Sequence, residues 1–170
     1  SEGRGRGNAF LADLANCNAL IQVVDAAGST VLEGNPQGHN QTTEVARARV
    51  IEEIEFLGLE LDAWIAGLLM EGWVRGVRRV QAEGDKGLIS FIHERLTGLG
   101  ATLQSVGLAY EAFRSEHTTL GSPWDWDLST IASLAVHLRK ALFPIHIAAN
   151  KFDVAPAEVL DGVVANGCII

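Results

Sequence analysis

Residues 142–153 read Leu-Phe-Pro-Ile-His-Ile-Ala-Ala-Asn-Lys-Phe-Asp, an apolar run followed directly by a polar tetrad. The apolar run is typical of a buried strand, which we predict at about 144–149, and Pro144 is tolerated at its first position. In open α/β sheets, ligands bind beyond the carboxyl ends of the strands. The tetrad Asn150-Lys151-Phe152-Asp153 therefore stands where such a sheet would hold a ligand.

The residue types in the tetrad suit a guanine base. Guanine presents a ring N–H and an exocyclic amine side by side, and the carboxylate of Asp153 can accept from both in a charge-assisted contact. Adenine lacks this pair of donors and would leave the acceptor unpaired. Asn150 can bond the other edge of the base, and the stem of Lys151 can stack on the ring. The alternative is a solvated loop in which these residue types occur together by chance.

A second strand is predicted at 19–25, where Ala-Leu-Ile-Gln-Val-Val-Asp is a buried apolar run that ends in Asp25. Helical periodicity fills most of the chain between the two strands. Strands separated by helices pair in parallel, and this connection is far longer than a single crossover needs. We therefore predict an α/β fold with a long helical insertion, in which helices occupy about 43–70, 73–82, 88–96, 103–113, 127–142 and 156–164.

Local signals mark several boundaries of these elements. Gly84 is expected to interrupt the helical pattern, and Asp127 is expected to cap the helix that follows it. Pro156 suits the first turn of the last helix. A short helix at 8–16 and a third strand that begins at Cys168 complete the prediction.

Composition limits the classes of function. The chain has 170 residues, of which 48% are hydrophobic and 20% charged, and its net charge is −8. This charge argues against broad binding to DNA or RNA, although Arg75, Arg78 and Arg79 could form a local basic patch rather than a solvated helix face. Two cysteines suit a reducing cytosol. No apolar run has the length of a membrane span and no leader is recognised, so we expect a cytoplasmic protein without a membrane partner.

The first residues, the first strand and the tetrad together carry a family resemblance. Residues 2–11, Glu-Gly-Arg-Gly-Arg-Gly-Asn-Ala-Phe-Leu, resemble the switch II segment of the Obg-related GTPases, especially the archaeal members of the YchF-like branch. Residues 19–26 resemble the strand that follows in that family, and the tetrad matches its base-specificity motif. The resemblance implies a partial P-loop GTPase-type parallel sheet, with residues 1–42 and 142–170 as parts of a G domain and residues 43–141 as its helical insertion.

The same resemblance implies a function. The intact protein would be a GTPase switch that uses GTP and Mg²⁺ and associates with the ribosome or ribosomal RNA. Asn150, Lys151 and Asp153 would contact the guanine base. The family's phosphate-binding loop and Asp-x-x-Gly motif do not occur in the chain. We therefore expect a fragment that alone binds nucleotide weakly and hydrolyses nothing, with its catalytic residues elsewhere in the protein.

Gly3, Gly5 and Gly7 would form part of switch II in this interpretation, whereas without the resemblance they would be read as a flexible linker. Two other functions stay open. One is a non-catalytic helical interaction module on an α/β scaffold, in which the tetrad is fortuitous. The other is an ATP-preferring YchF-type ATPase, because many members of that branch have an altered base motif; the intact tetrad favours GTP.

Two expectations concern side chains outside the tetrad. The five histidines are scattered without metal-ligand spacing, so no metal site is expected, and His146 is expected in the core because it lies inside a strand. Trp124 and Trp126 flank a turn and are candidates for a surface that contacts a partner.

Overall fold

The structure of the protein, a computed structural model, describes Leu14 and residues 17–29 and 42–165. Two strands lie in this part of the chain, β1 (Leu20–Asp25) and β2 (Ile145–Asn150). Short 3-10 turns occupy Thr97–Leu99, Pro123–Asp125 and Phe152–Val154. The helices of the described residues are α1 (Thr43–Met70), α2 (Trp73–Glu83), α3 (Asp85–Leu96), α4 (Leu103–Glu116), α5 (Leu128–Leu142) and α6 (Ala157–Ala165).

The two strands form a parallel sheet, which confirms the predicted α/β class. The register pairs Leu20 with Ile145 at one end and Asp25 with Asn150 at the other. Helices α1 to α5 separate the strands in sequence, so a long helical connection joins two adjacent parallel strands. The predicted third strand at Cys168 lies outside the described residues. So does the predicted helix at 8–16, except for Leu14, which is helical and buried.

The chain divides into two compact units. One consists of residues 19–60 and 145–170 and contains the sheet; the other consists of residues 1–18 and 61–144 and contains most of the helices. Helix α1 contributes to both, because the division falls between Glu60 and Leu61. The assignment of these parts to a G domain and its insertion stays a prediction.

In the sheet unit, the core lies on one face of the two strands. Val24 is fully buried there against one side of α1, and Val159 of α6 joins the cluster, which also contains Ala46, Val50 and Ile54. Gly28 has φ +62° and lies so close to α1 that an added Cβ would stand 2.9 Å from the Cβ of Ala46. The turn after β1 therefore needs glycine both for its backbone and for the close approach.

The opposite face of β1 differs from the sequence prediction of a buried strand. Ile21 is 74% exposed and Val23 is 61% exposed. Alternate side chains of a strand point to opposite faces, so residues that share an apolar run are divided between a covered and an open face. His146 on β2 is also exposed, and the expectation that it belongs to the core is wrong, because a strand position alone does not decide which face is covered.

In the helical unit, aromatic side chains connect the helices. Trp73 at the start of α2 stacks on Trp126 with a ring separation of 5.7 Å, and Trp126 meets Phe113 of α4 edge to face at 5.3 Å. Trp126 is buried and its Nε1 donates to the carbonyl of Gly121, so its expected role at a partner surface is wrong. Trp124 is 47% exposed, and its predicted partner role stays untested.

Two helix boundaries confirm the local signals in the sequence. Gly84 separates α2 from α3 with φ +63°. Asp127 caps α5, since its Oδ1 accepts from the Thr130 backbone N–H at 2.8 Å. That N–H and hydroxyl hydrogen bonds lower the pKa of the Asp127 carboxyl, with the Thr130 hydroxyl contributing most.

Candidate functional site

The carboxyl ends of the two strands lie side by side. Asp25 is opposite Asn150 in the register, and the backbone N–H of Ala26 donates to the carbonyl of Asn150 at 2.9 Å. The parallel pairing thus extends one step beyond β1. As a consequence, the side chains at the end of β1 and the first residues of the predicted tetrad meet at one edge of the sheet, where ligands bind in open α/β folds.

Lys151 follows β2 in a left-handed backbone conformation, with φ 57° and ψ 30°. Among the described residues other than glycine, it alone has a positive φ. Its backbone N–H donates to the side-chain Oδ1 of Asn150 at 2.9 Å, and the 3-10 turn Phe152–Val154 begins directly after it. Such backbone strain persists only where the surroundings hold it, and it concentrates at functional sites.

The Lys151 ammonium group reaches back to the end of β1. Its Nζ donates to Asp25 Oδ2 at 2.9 Å and to Ser29 Oγ at 2.8 Å. The Asp25 side chain is only 8% exposed, whereas that of Lys151 is 40% exposed. Asp25 also accepts from the Ser29 hydroxyl at 2.6 Å and from the Ala27 backbone N–H at 3.1 Å. These contacts hold the buried carboxylate in place and bring residues 126 positions apart into one cluster.

Glu53 of α1 adds a second carboxyl group to this cluster. Its Oε2 accepts from the backbone N–H of Asp25 at 3.3 Å, and its carbonyl accepts from the side chain of Gln22. Burial raises the pKa of Glu53, and the negative charge of Asp25 raises it further, while the Asp25 N–H and the charge of Lys151 act in the opposite direction. The site therefore pairs one ammonium with two carboxyl groups, and the pKa of Glu53 is raised above its ordinary value.

The two remaining polar members of the tetrad face solvent. Asn150 and Asp153 are exposed, and Asp153 lies in the 3-10 turn after Lys151. In the sequence, an exposed amide thus precedes, and an exposed carboxylate follows, a lysine whose ammonium is already bound. Gly3, Gly5 and Gly7 lie outside the described residues.

The described part of the chain offers no metal centre: no group of three or more His, Cys, Asp or Glu side chains in it is arranged to hold a metal ion. None of its helices is long and apolar enough to cross a membrane.

From the sequence alone, no role is predicted for three members of this cluster, which are Asp25, Ser29 and Glu53. A signal for Asp25 was present, because it ends β1 as Asn150 ends β2, and parallel strands bring their carboxyl ends to one edge. Ser29 begins a stretch of sequence rich in Gly, Asn, Ser and Thr, and Glu53 is one of several acids on α1. Neither can be distinguished from its neighbours without the three-dimensional contacts.

Comparison with known proteins places the chain beside proteins named for GTP binding. It is 36% identical over 157 residues to an uncharacterized GTP-binding protein of Methanocaldococcus jannaschii, an alignment that covers 92% of this chain and 36% of the relative. It is 32% identical over 158 residues to an uncharacterized GTP-binding protein of Schizosaccharomyces pombe, covering 92% of the chain and 35% of that relative. The chain resembles one segment of these GTP-binding proteins. It spans about a third of the length of these curated relatives.

A solved structure extends the similarity to the fold. The crystal structure of a GTP-binding protein from Pyrococcus horikoshii OT3 matches with a TM-score of 0.71 and 34% sequence identity, covering 92% of this chain and 42% of that one. The helix-rich α/β architecture with a parallel strand pair is therefore that of part of a known GTP-binding protein. No protein-family model matches the chain.

Proposed function

We propose that this protein binds a guanine nucleotide and that Asn150, Lys151 and Asp153 contact its base. The observation that carries the proposal lies at the end of β2, where a lysine held by a buried acid is preceded in the sequence by an exposed amide and followed by an exposed carboxylate. The relatives named as GTP-binding proteins support it, since the aligned segment covers 92% of the chain.

Each side chain would have a distinct part in recognition. The Asp153 carboxylate would accept from the ring N–H and the exocyclic amine of guanine, and so would discriminate against adenine. Asn150 would hydrogen-bond the opposite edge of the base. The methylene stem of Lys151 would lie along the face of the ring, a contact that tolerates either purine.

In the intact protein, we propose a hydrolytic switch of the Obg-related, YchF-like type, present in the cytoplasm. Residues 1–42 and 142–170 would belong to its G domain, and residues 43–141 would be a helical insertion. Gly3, Gly5 and Gly7 would move with switch II. The described residues do not fit a Mg²⁺ site, because they contain no suitable acidic cluster and Asp25 is bound to Lys151. Phosphate and Mg²⁺ contacts would come from elsewhere in the protein.

Translation is the proposed setting, with the ribosome or its RNA as the partner. The observation that favours an RNA contact is the exposed side of α2, where Arg75, Arg78 and Arg79 lie within little more than one turn. Three arginines at this spacing form a local positive patch on an acidic chain. Arg79 also pairs with Glu94 at 2.6 Å, so Arg75 and Arg78 would be the principal phosphate contacts.

The test of base recognition is the affinity of the protein for GTP and for ATP, measured for the wild type and for Asp153→Asn. We expect the wild type to prefer GTP. Replacing the charged acceptor should weaken GTP binding about 10- to 100-fold, as for loss of hydrogen bonds to a charged group, and leave ATP binding unchanged.

Asp161→Asn is the matched control, since Asp161 is an exposed acid on α6 outside the tetrad. It should preserve both affinities. A wild type that binds the two nucleotides equally, or prefers ATP, would contradict the proposal and favour the ATPase alternative. A wild type that binds neither would favour the interaction module.

A further inference from the structure

We infer that Asp25 is a positioning residue of the base site: it binds the Lys151 ammonium group so that the lysine stem is fixed as a platform for a purine. The inference rests on the proposed function and adds a residue outside the Asn-Lys-x-Asp motif. It is carried by the buried ion pair between the ends of β1 and β2, with Nζ to Oδ2 at 2.9 Å.

Both ends of the Lys151 side chain are fixed. At the backbone, the residue holds a left-handed conformation, and its N–H donates to Asn150 Oδ1. At the tip, Nζ donates to both Asp25 and Ser29. A four-carbon side chain that is free at its tip samples many rotamers, and ordering it upon binding costs side-chain entropy. Fixing it beforehand removes much of that cost.

Because its ammonium is bound, only part of the Lys151 side chain remains for a ligand. Its ammonium is bound at a carboxylate that is 8% exposed, while the lysine side chain as a whole is 40% exposed. The group offered to a base is therefore the stem rather than the charge. Asp25 is itself held, because its carboxylate accepts from Ala27 and Ser29 and its backbone N–H donates to Glu53.

The role inferred for Asp25 differs from the role proposed for Asp153. A methylene stem packs on the face of guanine and adenine alike, whereas a carboxylate that accepts from two donors selects guanine. Loss of Asp25 should therefore lower the affinity for both purine nucleotides by the same factor. Loss of Asp153 should change their ratio. An ion pair that only joins the two strand ends would affect the stability of the fold and would not act through Lys151.

A double-mutant cycle tests the inference on the complete protein. The variants are Asp25→Asn, Lys151→Met, which removes the ammonium and keeps an unbranched stem, and the double variant. GTP and ATP affinities and the melting temperature are measured for each. We expect Asp25→Asn to weaken both nucleotides about 3- to 10-fold, as for one hydrogen-bonded contact, with the GTP-to-ATP ratio unchanged. In the Lys151→Met background, Asp25→Asn should have no further effect on affinity.

Ser29→Ala provides a second route to the same result if Asp25→Asn does not fold, because it removes one acceptor of the ammonium without removing a charge. Its effect should be smaller and should also vanish in the Lys151→Met background. Asp62→Asn is the matched control: Asp62 forms a half-buried ion pair with Arg139 at 2.9 Å in the helical unit. It should lower the melting temperature and leave nucleotide affinity unchanged.

The outcomes distinguish this inference from the proposed function. If the wild type binds GTP and the effects of Asp25→Asn and Lys151→Met simply add, Asp25 acts independently of Lys151 and the inference is overturned. It is also overturned if Asp25→Asn changes the GTP-to-ATP ratio, or lowers only the melting temperature. If the wild type binds no nucleotide, the proposed function itself fails, and the inference fails with it.

Discussion

The hydroxyl group of Tyr110 has a carboxylate as its hydrogen-bond partner, and its pKa is raised. Tyr110 is the one tyrosine of the chain, it is buried on α4, and its hydroxyl donates to Asp85 Oδ1 at 2.9 Å. Burial, followed by the hydrogen bond and the charge of Asp85, raises the pKa of Tyr110 to about 12. The folded pKa thus lies above the value of about 10 for an unfolded tyrosine. The fold keeps this contribution to its stability below about pH 10 and loses it as the pH rises toward 12.

Titration of tyrosinate absorbance checks this prediction, because no second tyrosine contributes to the signal. We expect a midpoint near pH 12 in the folded protein and near 10 in denaturant. Asp85→Asn should lower the folded midpoint, since it removes the neighbouring charge. A folded midpoint near 10 would show that the Tyr110 hydroxyl is not buried against Asp85.

Glu53 gives a prediction of the same sign in the acidic range of pH. Its pKa is raised above the ordinary value, chiefly by burial, so the fold binds its proton more tightly than the unfolded chain does. Its contribution is therefore most favourable at low pH and is lost as the pH rises through the folded pKa. Glu53→Gln removes this dependence and keeps an oxygen that can accept from the Asp25 N–H.

The free energy of unfolding, measured by urea at a series of pH values from 4 to 7, tests this assignment. Glu53→Gln should gain stability relative to the wild type as the pH rises. Glu52→Gln, at the exposed neighbouring position on α1, should show no such trend. A difference between Glu53→Gln and wild type that is constant with pH would mean that Glu53 is not desolvated.

The position of the tetrad at the end of a strand was predicted from the sequence, but the partners of the Lys151 side chain were not. The residue types of Asn150 and Asp153 are enough to suggest the proposed base contacts, because a carboxylate can accept from the two adjacent donors of guanine. The bond from Lys151 to Asp25 depends on the register of two strands far apart in the chain. No local pattern contains that register, and none predicts the left-handed backbone of a lysine.

Helices α2 and α3 make a very close contact at Gly76. A Cβ added at Gly76 would lie 2.5 Å from ring atoms of Phe91, well inside contact distance. Gly76→Ala should therefore force α2 and α3 apart and destabilise the protein by about 1–3 kcal/mol. Gly67→Ala on α1 is the matched control, because nothing lies within 4 Å of its added Cβ.

The control should move in the other direction, since alanine in an exposed helix position is favoured over glycine by about 0.5–1 kcal/mol. Urea denaturation of the two variants measures both effects. If Gly76→Ala proved as stable as Gly67→Ala, the close packing of α2 on Phe91 would be wrong.

Element boundaries were the part of the structure most open to prediction from sequence. Helix α1 was predicted at 43–70 and occupies Thr43–Met70, and the cap at Asp127 was predicted and is present. Both follow from local rules of periodicity and capping. Trp126 and His146 were placed wrongly because burial depends on neighbours that are distant in sequence. Trp126 fills the space between Trp73 and Phe113, and a turn position gives no sign of this.

At the scale of the whole molecule, the order of strand, helices and strand was enough to predict a parallel sheet. Two strands with a helical connection pair in parallel because the chain returns to the same end of the sheet. The order does not say which face of the sheet is covered, and the exposure of Ile21 and Val23 was not predicted. The chain spans about a third of the length of its curated relatives, and the proposed activity belongs to the intact protein.

The proposal that Asp153 accepts from two donors of a guanine base can be tested by competition among GTP, ITP and ATP for the protein. Inosine keeps the ring N–H of guanine and lacks the exocyclic amine, so it offers one of the two donors. We expect the affinity of the wild type to fall in the order GTP, ITP, ATP, and we expect nearly equal affinities for the three nucleotides in Asp153→Asn. Equal binding of GTP and ITP by the wild type, or tighter binding of ATP, would contradict it.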